Sequence, residues 1–208
     1  MRRIITLAAL FIVTLLFSSF CLAAEDGFVP LFDGKTLTGW HALPGGNWEA
    51  KDGAIVGTSQ RSERRHGMLL SEKTYKDFTV RLKFKSVRGN SGLYFRSEKV
   101  PGGVAVNGFQ AEIDPARDVG GLYETGGRAW VVKPTAEQVK EYFKPGQWNQ
   151  MTVSAQGRNV TVEVNDHKTA ELKDDPGRLE GHFGLQLHGG QDMHVEFRDV
   201  EILVTPGK

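Results

Sequence analysis

Over residues 78–85 the chain alternates without a slip. Phe78, Val80, Leu82 and Phe84 fall on one side of an extended strand, and Thr79, Arg81, Lys83 and Lys85 on the other. A period of two with one apolar face belongs to a β-strand that turns one side to a core and the other to water. The same period returns in residues 151–155, 160–164 and 195–202. Such stretches, short and rich in β-branched and aromatic residues, recur at intervals of roughly eight to twelve residues between clusters of Gly, Asp, Asn and Pro. The pattern predicts an all-β sandwich or barrel. Asn165-Asp166-His167 is expected to form a tight hairpin turn. Residues 135–142 are the one convincing helical segment, opened by Pro134 and a threonine of cap type. No solenoid or propeller period and no low-complexity linker interrupts the chain.

The first residues follow a different rule. Arg2 and Arg3 precede an apolar run from Ile4 to Phe17, and small residues lead up to the first acids, Glu25 and Asp26. This is the layout of a secretory signal peptide, expected to be cut after Ala23 or Ala24 and so to send the chain to the periplasm or the medium. The stretch is long enough for an uncleaved membrane anchor as an alternative. Lipidation fits less well, because Phe20 rather than a small residue precedes Cys21. With residues 1–24 removed, residues 25–208 form one expected domain, long enough to bury a sizeable core. That domain has no thiol, since Cys21 is the only cysteine. Its 24 basic residues stand against 25 acidic ones once Arg2 and Arg3 are gone. A near-neutral balance argues against a nucleic-acid partner, which requires a concentrated basic face. The small Arg61, Arg64, Arg65 cluster is expected to be a solvated loop.

Three strands carry polar residues where a sandwich would tolerate filler. In residues 91–96, Leu93 and Phe95 share one face, so Gly92, Tyr94 and Arg96 must project from the other. In residues 109–114, Phe109, Ala111 and Ile113 oppose Gln110, Glu112 and Asp114. In residues 183–188, Phe183, Leu185 and Leu187 oppose Gln186 and His188. If the three lie in one sheet, these faces make a groove able to hold sugar hydroxyls and to move protons. Glycines at 92, 184, 189 and 190 would let a ligand approach the backbone. The alternative is ordinary solvated surface, with Glu112 and Arg96 as a cross-strand ion pair of little consequence. The glycine-rich residues 120–131 are expected to form a loop overhanging the groove. They would offer Tyr123, Arg128 and Trp130 to substrate, or serve as a structural loop anchored by its aromatics.

A set of motifs gives this reading a family. Residues 32–40 (FDGKTLTGW), Trp48 with Asp52-Gly53, residues 90–96 (NSGLYFR), Trp148-Asn149 and residues 184–189 (GLQLHG) are ordered along nearly the whole chain after the leader. Together they resemble the 3-keto-disaccharide hydrolase domain. The resemblance implies a concanavalin A-like jelly roll of two antiparallel sheets, export, and action on glycosides already oxidised to a ketone at C3. This chain departs from many members at Gln110-Ala111-Glu112, where the family often carries Glu-x-Gln.

A C3 ketone acidifies the hydrogen on C2, so the glycosidic bond can leave by elimination and water can add afterwards. Glu112 or His188 is then expected to be the C2 base, Arg96 the cationic partner of the enolate, and Asp114 an orienter or acid. Gln110, Gln186 and Tyr94 would hold hydroxyls. No cofactor is demanded by the sequence, although a divalent cation on Glu112, Asp114 and His188 is conceivable. Two rival readings stand beside this one. Glu112 and Asp114 could serve a retaining glycosidase, or the fold could be a non-catalytic carbohydrate-binding module.

Overall fold

The computed structural model describes residues 27–101 and 106–205, so the expected leader at residues 1–24 lies outside them. Two antiparallel sheets pack face to face, and one short helix flanks them. Along the first sheet run β13 (His167–Leu172), β12 (Asn159–Val164), β11 (Asn149–Gln156), β6 (Phe78–Arg88), β15 (Met193–Val204), β4 (Ala54–Ser59) and β3 (Asn47–Lys51); β1 (Val29–Pro30) also pairs with β15. The second sheet orders β10 (Ala129–Val132), β9 (Leu122–Thr125), β8 (Val106–Ile113), β7 (Ser91–Lys99), β14 (Gly181–Leu187), β5 (Gly67–Tyr75) and β2 (Trp40–Ala42). The chain crosses between sheets at β4–β5, β5–β6 and β6–β7, which makes the all-β sandwich of jelly-roll type.

The alternation in β6 shows why the sandwich closes. Phe78, Val80, Leu82 and Phe84 are buried between the sheets, while the intervening residues meet water and pair across strands. Arg81 reaches Glu201 at 2.7 Å, Lys83 reaches Asp199 at 2.8 Å and Lys85 reaches Glu196 at 2.7 Å. Each such pair contributes little. The driving force is the aromatic seam, where Phe78 meets Phe183 edge to face at 4.7 Å and Phe95 at 6.2 Å, and Phe95 stacks on Phe109 at 5.4 Å.

Turns follow local chemistry. Asn165 and Asp166 both take positive φ, 49° and 67°, and close the two-residue hairpin between β12 and β13. Helix α1 (Ala136–Tyr142) starts from a reciprocal capping box between Thr135 and Gln138. Residues 120–131 differ from expectation. Instead of an overhanging loop they form the β9–β10 hairpin that extends the second sheet, with glycines at its approaches and Gly126-Gly127 at its turn. A glycine-rich composition concealed two four-residue strands.

Strands β7, β8 and β14 are buried on both faces. Their inner faces join the main core. Their outer faces are covered by a small second cluster, Leu43, Met68, Leu70, Tyr94 and Val106, and by a pocket.

Candidate functional site

The pocket has a volume of about 310 Å³, at the small end of the range for small-molecule sites. Cross-strand register assembles its floor. Gly92 lies opposite Glu112, Tyr94 opposite both Gln110 and Gly184, and Gln110 opposite Tyr123. The pleat sends Tyr94, Gln110, Glu112 and Gln186 outward while their chain neighbours Leu93, Phe95, Ala111 and Leu185 fill the core.

Three of these polar groups form a hydrogen-bonded chain that ends on Thr125. The Gln110 amide donates to Gln186 Oε1 at 3.1 Å, and Gln186 Nε2 donates to the Tyr94 hydroxyl at 3.3 Å. The Tyr94 hydroxyl also lies 2.9 Å from Thr125 Oγ1, and either hydroxyl can donate its proton to the other. Burial pushes the Tyr94 phenol well above its ordinary range, so its proton is not released near neutral pH.

Glu112 stands at the end of this floor, 5% exposed. Burial lifts its carboxyl to about 8, against the pull of a 2.6 Å hydrogen bond donated by Asn90 Nδ2 to its Oε1. At neutral pH the group is chiefly a carboxylic acid. Because the Asn90 amide occupies Oε1, the acid proton belongs on Oε2.

His188 follows β14 at the rim of the pocket. Its Nδ1 lies 2.8 Å from the Gly189 carbonyl, which can only accept, so Nδ1 carries the hydrogen and the lone pair of the neutral ring is left on Nε2. His66 sits beside it with ring centroids 4.6 Å apart and planes at 74°. Tyr123 and Trp130 complete the opposite wall, perpendicular to one another at 5.3 Å, with Lys133 Nζ 4.8 Å above the indole. Rings so placed offer an apolar surface to a pyranose face.

Seven of the ten residues expected at a site therefore meet in one pocket: Tyr94, Gln110, Glu112, Tyr123, Trp130, Gln186 and His188. Three do not. The alternation in β7 breaks after Phe95, where the pairing with β8 shifts and Arg96 takes φ 47°. The Arg96 side chain, 1% exposed, turns away to donate to the carbonyls of Lys76 and Arg178, with Asp77 3.5 Å distant. It forms no pair with Glu112. Asp114 lies past the end of β8 and accepts the Ala116 amide at 2.9 Å, closing a turn. Arg128 is committed to Glu124 and, through both terminal nitrogens, to Asp175, tying the β9–β10 hairpin to the loop before β14. The glycines also differ from expectation. A Cβ on Gly92 would lie 2.5 Å from Gln110 Nε2, and one on Gly189 only 2.2 Å from the Arg64 carbonyl oxygen. At these two positions the absent side chain makes room for neighbouring protein atoms rather than for ligand, whereas a Cβ on Gly190 would meet nothing closer than Arg64 Nη1 at 3.6 Å.

Besides Thr125, two polar contributors were not singled out from sequence as site residues. Asn90, in the β6–β7 turn, reaches Glu112, and its carbonyl accepts the His188 amide at 3.3 Å. His66 precedes β5 at the end of the arginine-rich loop, where no pattern marks it. In that loop Arg65 pairs with Glu63 at 2.7 Å and Arg61 lies 3.9 Å from Asp192. Among the described residues no group of three or more His, Cys, Asp or Glu side chains converges as a metal site, so the carboxylate–histidine cation set considered above is not assembled. No helix among the described residues is long and apolar enough to cross a membrane.

A sugar-sized pocket with an acid, an imidazole and amide donors on a jelly-roll sheet invites comparison with known proteins. The family model of the 3-keto-α-glucoside-1,2-lyase-like domain matches residues 27–203. The chain belongs to this family. A Bacteroides thetaiotaomicron protein named 3-keto-disaccharide hydrolase is 31% identical over 85 residues. That match takes in 36% of this chain and 29% of the relative, so it spans under a third of the relative's length. A Parabacteroides distasonis crystal structure, provisionally assigned as a glycosyl hydrolase, superposes with TM-score 0.66 at 22% identity, covering 87% of this chain and 95% of that one. The carbohydrate binding module CBM66 of Bacillus subtilis superposes at 0.60 with 24% identity, over 78% of this chain and 94% of the module. At these identities the structures share the fold of the 3-keto-α-glucoside-1,2-lyase-like chain, and catalytic and binding proteins both use it.

Proposed function

We propose that this protein is an exported enzyme that cleaves 3-keto-glycosides by elimination across C1 and C2, followed by addition of water. The observation that carries the reading is a neutral buried carboxyl and an imidazole with its free nitrogen defined, both lining one sugar-sized pocket. His188 Nε2 takes the proton from C2, which the neighbouring ketone has acidified. The electron pair moves into an enolate and then expels the oxygen on C1, which receives the Oε2 proton of Glu112. The Glu112 carboxylate then takes a proton from the water whose hydroxyl adds to C1, and the His188 imidazolium, after exchange with solvent, protonates C2, giving the free 3-keto sugar and restoring both groups. Gln186 holds one amide N–H not committed to Tyr94 and donates it to the enolate oxygen, the part first given to Arg96. Tyr123 and Trp130 hold the ring face.

A retaining glycosidase is disfavoured on this geometry. That mechanism requires two carboxyl groups about 5–5.5 Å apart across the scissile bond. Glu112 is the one carboxyl among the described residues lining the pocket, and Asp114 closes a turn outside it.

The test compares a 3-keto glucoside with its unoxidised parent. The protein should cleave only the first, Glu112→Gln should lower kcat by about 10²–10⁴-fold, and the sugar released early in D2O should carry deuterium at C2. Equal cleavage of both substrates, or a C2 without deuterium, would rule out elimination. Binding without turnover would make the protein a sugar-binding module. Export rests on the leader-like layout of residues 1–24. Expression of the whole chain in a bacterium should yield periplasmic or secreted protein whose amino terminus lies close to Glu25.

A further inference from the structure

Segments 63–66 and 188–190, far apart in sequence, interlock at the rim of the pocket. The Gly190 amide donates to the Glu63 carbonyl at 2.6 Å, and the Gly189 amide donates to His66 Nδ1 at 3.4 Å. The two backbones approach so closely that a Cβ on Gly189 would strike the Arg64 carbonyl. On the far side, a Cβ on Gly45 would lie 2.6 Å from the His66 carbonyl carbon and oxygen. The backbone of residues 64–66 thus runs against Gly189 at Arg64 and Arg65 and against Gly45 at His66.

Both histidines act on the same residue. His66 Nδ1 accepts from the Gly189 N–H, whereas His188 Nδ1 donates to the Gly189 C=O. To accept there, His66 must be neutral with its hydrogen on Nε2. To donate there, His188 must carry its hydrogen on Nδ1. One glycine therefore fixes opposite tautomers in two rings whose centroids are 4.6 Å apart.

From this clamp we infer that His66 is a positioning residue for His188: by holding the Gly189 peptide it keeps His188 in the Nδ1–H tautomer with Nε2 free toward the pocket. The inference rests on the reading of His188 as the C2 base. Burial and the neighbouring His188 hold the His66 imidazole below its ordinary range, which agrees with a neutral ring at working pH. The same pocket also holds the phenols Tyr94 and Tyr123 and the carboxyl of Glu112, itself held neutral, and the loop's Arg65 is paired with Glu63. Arg64 is exposed, with its Nη1 3.6 Å from where a Cβ on Gly190 would lie. A charged His66 would lose the Gly189 bond and would oppose the charge that His188 acquires when it takes the C2 proton.

Two variants separate this role from a merely structural one. His66→Leu removes the acceptor for Gly189, whereas His66→Asn keeps a side-chain oxygen near the position of Nδ1. On the 3-keto glucoside, His66→Leu should lower kcat by about 10–100-fold with KM changed by less than about threefold, and His66→Asn should recover most of that loss. Nitrogen NMR of the imidazoles in isotopically labelled protein supplies a readout independent of turnover. The unaltered protein should show His188 protonated on Nδ1 and His66 on Nε2, and His66→Leu should shift His188 toward a mixture. A His188 protonated on Nε2 in the unaltered protein, or a His66→Leu variant with the original tautomer and kcat, overturns the inference. Should the unaltered protein cleave no 3-keto glucoside, the C2-base reading fails on its own, and the NMR result still decides the clamp.

Discussion

Glu112 gives the site a signature in pH. Its carboxyl loses a proton at about 8 in the folded chain, against an ordinary value of 4.5. Between these values the folded protein holds a proton that the unfolded chain has released, so the stabilisation present below the lower value is lost as pH rises toward the higher one. Raising pH from about 5 to about 8 should therefore reduce stability by on the order of a few kcal/mol. In Glu112→Gln, a neutral mimic of the acid, that part of the decline should vanish. Denaturant unfolding of both proteins across this range checks it, and parallel curves would show that the carboxyl is ionised in the fold. Turnover should fall as pH passes about 8, because the departing oxygen then loses its proton donor.

At the scale of the strand, Arg96 shows what a bulge does. By leaving the outer face of β7 its guanidinium satisfies the carbonyls of Lys76 and Arg178 and joins the β5–β6 turn to the approach of β14. Arg96→Met should leave both carbonyls unsatisfied and destabilise the fold by about 3–5 kcal/mol. The folded fraction should keep its KM, since the side chain lies outside the pocket; thermal melts with steady-state kinetics measure both. The same residue marks where sequence reading ran out. Alternation located β6, β7, β8 and β14 and put Tyr94, Gln110, Glu112 and Gln186 on one face, because pleat and burial act residue by residue. It could not show that β7 slips register after Phe95, or that β8 ends at Ile113 and leaves Asp114 to a turn. His66 was illegible for another reason. It reaches His188 only through the pairing of β5 with β14, across more than a hundred residues, and such pairing leaves no mark in a local pattern. The β9–β10 hairpin was hidden by its own glycines.

Across the whole molecule the two sheets divide their tasks. Strand β6 of the first sheet sets one face in the core and spends the other on ion pairs, whereas the middle strands of the second, β7, β8 and β14, are covered on both sides, by the core and by the pocket. The family resemblance agreed with this architecture because its motifs fall at the joints: the FDG turn before β2, the Asn90 turn into β7 and the exit of β14. The resemblance did not locate the acid or the base. The roles proposed for them rest on burial at Glu112 and on a hydrogen bond at His188.

The alternation of pocket and core residues along β8, β14 and β7 as far as Phe95 also bears on how such a protein can change over generations. Each strand carries two inheritances at once, one selected for chemistry and one for packing, interleaved like the teeth of a comb. Point substitutions can alter one set while sparing the other, so new specificities are reachable one residue at a time. A single-codon deletion within any of these strands would instead exchange the two sets, turning phenylalanines outward and a carboxyl into the seam. Lineages of this fold should therefore change at outward positions one residue at a time, as their substrates change, while their strand lengths stay constant.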